Sequence, residues 1–160
     1  MTQNYRLKDV GRIDRNHKIS FTFNGKKYSG YKGDTLASAL LANGVHLIAR
    51  SFKYHRPRGI FAAGVDDPSA KVQLIKDGYS EPNVNLTEFE LVEGLELQSQ
   101  NCWPSVSVDV GEINNLLNKF FPAGFYYKTF MWPKSFWYSV YEPFIRKAAG
   151  FGVASLDPDP

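Results

Sequence analysis

KISFTFNGKKYSGYKGDTLASALLANG, residues 18–44, carries the local signals that decide the fold. In its first six residues Ile19, Phe21 and Phe23 alternate with Lys18, Ser20 and Thr22, the two-residue period of a half-buried strand. Asn24-Gly25 follows at once. Both positions of a type I′ turn need positive φ, which Asn and Gly tolerate, so a tight hairpin is predicted with KKYSGY as its second strand. Gly33-Asp34-Thr35 then opens a helix, with Asp34 as the expected N-cap. Leu36, Ala37, Leu40 and Leu41 make its apolar face, and Asn43-Gly44 ends it with a left-handed cap. A hairpin followed by a capped helix is how a β-grasp domain, an α+β fold, begins.

Outward from this stretch, residues 1–17 are polar and basic and are expected to form an N-terminal arm. RSFKYHRPRGIFAAG, residues 50–64, is a basic, aromatic loop punctuated by Gly and Pro. KVQLI predicts a strand, with Val72 and Leu74 on one face and an Asp77-Gly78 turn behind it. Residues 84–98, VNLTEFELVEGLELQ, alternate again across Glu93-Gly94 and predict another hairpin. The β-grasp domain is therefore expected over 18–100. Residues 101–150 differ in kind, as a helical and aromatic extension. VGEINNLLNKFF predicts a short amphipathic helix stopped by Pro122-Ala123-Gly124, and nine aromatics crowd residues 125–141. A second helix is expected from about Ser135, interrupted by Pro143. So many aromatics exceed what a small domain buries alone, and they predict a face that packs on a neighbouring domain or subunit. Residues 151–160 have the composition of a linker toward a further domain.

The 160 residues are 43% hydrophobic and 22% charged, ordinary globular values that exclude disorder and fibrous repeats. No apolar run approaches the ~20 residues that span a bilayer, and the N-terminus lacks an apolar signal region, so a cytoplasmic protein without a membrane partner is expected. Residues 1–60 hold 12 Lys and Arg against 3 Asp and Glu, a net +9, while the remainder carries −6. A basic half is one mark of a nucleic-acid binder. Here the cations are spread over turns and strands, not along one helix face, which favours docking on an acidic partner or on the chain's own acidic half.

Chemistry-bearing motifs are mostly missing. There is no GxGxxG, Walker loop, HExxH or nucleophile elbow, and no catalytic residue is assigned. His17, His46 and His55 lack metal-ligand spacing, and Cys102, the single cysteine, reads as a small buried hydrophobe, so no metal site is expected. Asn85-Leu86-Thr87 matches a glycosylation sequon but has no secretory signal behind it, and Asp66-Asp67 and Glu88/Glu90 read as solvated carboxylates. The exception is RSFKYHRPRG, where Arg50, Lys53, His55, Arg56 and Arg58 fall within nine residues, interleaved with Phe52 and Tyr54. Guanidinium forks on a constrained loop suit phosphate or carboxylate oxygens, making these five the candidate anion or cofactor-phosphate contacts. The blander alternative, which we weight above it, is a loop that pairs with acidic residues of a neighbouring domain.

GDTLASALLANGV, RSFKYHRPRGIFAAG, QNCWPSVSVDVGEINNLL, PAGFYYKTFMWPKSFW and VYEPFIRKAAG together resemble the N-terminal region of the alpha subunit of heterotetrameric sarcosine oxidases, with N-methylglutamate dehydrogenase alpha subunits as close relatives. That resemblance implies a [2Fe-2S] ferredoxin-like β-grasp domain that has lost its cluster, followed by a dinucleotide-binding domain and a folate-binding domain. It implies beta, gamma and delta subunits as partners. It also implies NAD, FAD, FMN and tetrahydrofolate in the parent complex, and none in this segment. The parent complex would oxidatively demethylate sarcosine to glycine and pass the one-carbon unit to tetrahydrofolate, with this segment inactive by itself. A plant-type cluster needs C-x₄-C-x₂-C and a distant fourth cysteine, and the loop after the helix contains none. The alternative from another class is a stand-alone β-grasp module that binds a polyanion or nucleic acid through its basic loop.

Overall fold

The Asn24-Gly25 turn forms as predicted, with φ of +49° and +74°. It joins β1 (Asp14–Phe23) to β2 (Lys26–Lys32) as an antiparallel pair. The computed structural model describes residues 3–76, 78–120 and 132–149. In it β1 starts four residues before the alternating stretch, with a register slip between Asp14 and Lys18. Phe21 and Phe23 point into the core, as the alternation requires.

Helix α1 (Leu36–Ala42) follows, and its N-cap is Thr35, whose hydroxyl accepts from the Ser38 N–H at 3.2 Å. Asp34, the expected cap, is fully buried and serves elsewhere. Its carboxylate takes Arg6 in a two-pronged ion pair (3.0 and 2.6 Å), the Tyr31 N–H at 2.9 Å and the Ser38 hydroxyl at 2.7 Å. A buried carboxylate is tolerated only with such partners, and supplying one pins the N-terminal segment to the domain. Tyr5 packs edge-on to His46 in the same region. Asn43 caps the far end of α1 with an ordinary negative φ, and Gly44 alone takes the left-handed position. The buried face is Leu36, Ala37, Ala39, Leu40 and Ala42, with Leu41 at the edge.

β3 (Ala49–Arg50) and β4 (Pro57–Arg58) form a small separate pair, and β5 (Lys71–Lys76) and β6 (Tyr79–Asn85) form the second hairpin. The stretch after β6 corrects the hairpin expected over 84–98. Residues 86–91 turn under the start of α1, where the Leu86 and Phe89 carbonyls accept from the N–H groups of Ala37 and Leu36 at 2.9 and 3.0 Å. Those are donors a helix start leaves without intrahelical partners. β7 (Glu96–Ser99) then inserts between β1, to which it is parallel, and β5, to which it is antiparallel. The sheet order is β2-β1-β7-β5-β6, with β1 and β7 side by side at its centre. The apolar alternation of 84–98 is real, but Leu86, Leu91, Leu95 and Leu97 spend it beneath α1, all at 0–1% exposure.

The core joins these leucines to Phe21, Phe23, Leu36, Leu40, Ile48, Val72 and Leu74. Gly30 on β2 makes the helix-to-sheet approach possible. A Cβ there would overlap Leu91 and come within 3.0 Å of Ala39.

Beyond the sheet, the helix expected from VGEINNLLNKFF is broken into a 3-10 turn (Val110–Glu112), one turn of α2 (Ile113–Leu116) and another 3-10 turn (Asn118–Phe120). Further on, a π-helical turn (Trp137–Tyr141) leads into α3 (Glu142–Ala149). Pro143 does not end the helical run; it sits where the π-helical turn passes into α3, so its missing N–H falls at the change of hydrogen-bond register. Trp132 and Tyr138 are 83% and 85% exposed. The aromatics expected over 125–131 and the linker over 151–160 lie outside the described residues. No helix among the described residues is long and apolar enough to cross a membrane.

Candidate functional site

The basic loop leaves the sheet at β3 and returns at β4, with Gly59 pressed so close to the His46 carbonyl (2.7 Å to a notional Cβ) that no other residue fits without movement. Within the loop, most cations are committed to the chain itself. Arg50 is buried. It donates through Nε to the Val106 carbonyl at 2.9 Å and through Nη1 to the His55 carbonyl at 3.0 Å, and lies 3.3 Å from the Glu112 carboxylate. His55, held at a φ of +53°, sets Nδ1 2.7 Å from Oδ2 of Asp109. The other Asp109 oxygen accepts from the Trp103 and Gly111 N–H groups at 3.0 and 3.1 Å. Arg56 donates to Asn115 at 2.9 Å and lies over the Tyr54 ring, which Lys53 also approaches.

These contacts clamp the loop onto residues 101–116 of the same chain. Asp109 and Glu112 supply the acid, so Arg50 and His55 both find carboxylate partners within the chain. Arg58 is different: its carbonyl accepts from Ile48 at 2.8 Å, but its guanidinium stays exposed.

The second half of the loop, residues 59–70, is organised by a residue the sequence placed in solvent. Asp67 is 2% exposed. Its Oδ2 accepts from the N–H groups of Phe61 (2.7 Å) and Ala62 (2.9 Å), and its Oδ1 from those of Ser69 and Ala70, both at 2.8 Å. Burial pushes this carboxyl upward, but the four backbone donors outweigh it and hold the group below its ordinary value. The available signal was Asp67-Pro68-Ser69, in which an Asp side chain can bond the N–H two residues on. Asp109 likewise bonds the N–H two residues on, that of Gly111, but its pairing with His55, 54 positions away, had no local mark.

A [2Fe-2S] cluster does not fit these residues. The amides that a bound inorganic anion could engage already point at the Asp67 carboxylate. Cys102 is half-buried, and burial, then the nearby Asp109 charge, push its thiol up against a smaller opposing effect of Arg50. That disfavours the thiolate that metal ligation requires. Among the described residues no group of three His, Cys, Asp or Glu side chains is placed to hold a metal ion.

Comparison with known proteins matches residues 16–102 to the family described as 2Fe-2S iron-sulfur cluster binding domain. The sarcosine oxidase subunit alpha of Rhizobium meliloti (strain 1021) is 58% identical over 156 residues, 98% of this chain and 16% of that protein. The sarcosine oxidase subunit alpha of Corynebacterium sp. (strain P-1) is 46% identical over 80 residues, 46% of this chain and 8% of the relative. A crystal structure of L-proline dehydrogenase from P. horikoshii aligns with a TM-score of 0.43 at 25% identity, covering 57% of this chain and 17% of that one.

Proposed function

The chain belongs to the 2Fe-2S iron-sulfur cluster binding domain family, and from that membership we propose that it is a cluster-free version of the domain, serving as the N-terminal structural part of a sarcosine oxidase-type alpha subunit. The observation that carries the proposal is the 58% identity over 156 residues to such a subunit, of which this chain spans only about a sixth. The lone cysteine and the carboxylate-organised loop support the loss of the cluster. The domain's work is architectural. Residues 18–100 form the ferredoxin-like body, and residues 101–150 extend from it toward a neighbouring domain or subunit. Exposed Trp132, Tyr138 and Phe144 support that role for the extension. The N-terminal segment ahead of β1 is fastened to that body through Arg6, and residues 151–160 lead toward a dinucleotide-binding domain. The complex served would oxidise sarcosine using NAD, FAD and FMN and pass a one-carbon unit to tetrahydrofolate, with beta, gamma and delta subunits as partners.

Co-expression with the other subunits tests this. A parent alpha subunit lacking residues 1–150 should fail to assemble, while the 160-residue chain alone should not oxidise sarcosine. Normal assembly of the truncated subunit, or activity in the isolated chain, would refute it. The competing reading, a polyanion-binding module using the basic loop, is weakened by the commitment of Arg50, His55 and Arg56 to partners in the same chain.

A further inference from the structure

Beside β4 lies a hollow of about 250 Å³ whose lining includes Arg50, Arg58, Lys71, Ser51, Ser69 and Gln100. Three cations line it and no carboxylate does. Arg50 is already neutralised by Glu112 and two carbonyls. Arg58 and Lys71 have no side-chain hydrogen bond or ion pair among the described residues. Two like charges left to face one small hollow repel each other unless an anion joins them. Gln100 and Asn101 form its inner wall, with the Gln100 Nε2 and the Asn101 Oδ1 both sealed behind it and without partners.

We propose that this hollow is a binding site for a phosphate group, with Arg58 and Lys71 as its charged contacts and the Ser51 and Ser69 hydroxyls as neutral donors. Arg58 offers a planar fork to two oxygens, Lys71 a point charge to a third. Donors from β4, β5, the residue after β3 and the residues before β5 line the hollow on several sides, which suits a tetrahedral anion with several oxygens better than a planar carboxylate with two. The volume is below that of pockets that enclose whole drug-sized molecules. It therefore takes the phosphate alone, as a free ion or as the end of a nucleotide. Lys71 enters only through the fold, because β5 lies thirteen positions beyond Arg58 in the chain. The inference goes beyond the architectural role above and stands on this geometry alone, whatever complex the chain joins.

The test is titration of the 160-residue chain with inorganic phosphate, ADP and acetate, followed by calorimetry and by amide NMR. Phosphate should bind, shifting the backbone signals of Arg58, Ser69 and Lys71, while acetate should bind at least about tenfold more weakly. Arg58→Gln and Lys71→Gln should each weaken phosphate binding about tenfold or more, the loss of one charged hydrogen bond. Lys26→Gln, on the remote β1–β2 turn, should leave it unchanged. ADP tighter than phosphate would assign the site to a nucleotide, and equal affinities would assign it to the free ion. Should a glutamine variant fail to fold, Lys71→Arg keeps the charge and should keep binding. Absence of binding at millimolar phosphate, equal binding of acetate, or binding that survives both glutamine substitutions would overturn the proposal.

Discussion

Replacing Asp67 by alanine removes one carboxylate and leaves four backbone donors facing the space it filled. Phe61 and Ala62 lie toward solvent and can turn their N–H groups to water at little cost. Ser69 and Ala70 are buried, at 7% and 0% exposure, and cannot. Each buried donor left unpaired costs about 1–3 kcal/mol, so the two together set an expected loss of about 2–6 kcal/mol. In a chain of this size that corresponds to a fall in Tm of roughly 5–15 °C. Thermal and urea unfolding followed by far-UV circular dichroism measures it, with the exposed neighbour substituted as Asp66→Ala for a control expected within about ±0.5 kcal/mol. The same residue predicts a pH dependence. Its folded carboxyl titrates below the ordinary 3.8, so folding favours the ionised form. The contribution is complete above about pH 5 and is lost as pH falls through 3.8 and then through the lower folded value. Asp67→Asn should therefore flatten the acid limb of the stability curve while lowering its plateau. An Asp67→Ala protein that melts with the wild type, or an Asp67→Asn protein with an undiminished acid limb, would sink the claim that this carboxylate organises the loop.

Other expectations are as direct. Arg6→Ala, which strands the buried Asp34 carboxylate, should cost about 3–5 kcal/mol in denaturant unfolding; a change below 1 kcal/mol would mean the N-terminal segment is not fastened there. Leu40→Ala, at a fully buried position under the sheet, should cost about 2–5 kcal/mol. Gly111→Ala would drive a methyl into the His55 ring, and should speed amide exchange selectively across residues 101–116; uniform exchange would show that the loop is held otherwise. Incubation with ferrous iron and sulfide, followed by desalting, should leave the protein colourless, and stoichiometric iron with a visible charge-transfer band would contradict the fit of residues described above.

The parts of the fold that could be read from sequence are those made by neighbours. The Asn24-Gly25 hairpin and α1 depend on contacts a few residues apart, and both stand where they were expected. The misplacement of the helix cap by one residue, Asp34 for Thr35, has a nonlocal cause. Both side chains can cap, and what separates them is the arrival of Arg6 to claim the first. Alternation in 84–98 correctly marked apolar residues but not their destination, because a run of buried leucines has the same pattern in a strand and in a turn packed beneath a helix. The basic loop was visible as a concentration of charge. Its partners were not, since Asp109, Glu112 and Asn115 lie some fifty or more positions away. Lys71 was legible only as a residue type, and for Asp67 the Asp-Pro-Ser run marked a local bond to Ser69 but not the burial or the bonds to Phe61 and Ala62.

The position of β7 also bears on how the molecule is made. Its pairing with β1 joins Phe23 to Leu97, so the centre of the sheet brings together residues about seventy apart. On the ribosome the first hairpin emerges early and the second well after it, but neither can join the other until the last four-residue strand is synthesised. Closing so long a loop before any of its contacts is rewarded is a slow step. Until then residues 86–91 can reach the start of α1, but Phe21 and Phe23 lack the strand that pairs with β1, a state open to aggregation and to chaperone binding. Among the described residues the last strand to be translated is thus the one that completes the core, and a ribosome stalled before Glu96 would present two hairpins joined only through the helix, with the centre of the sheet missing.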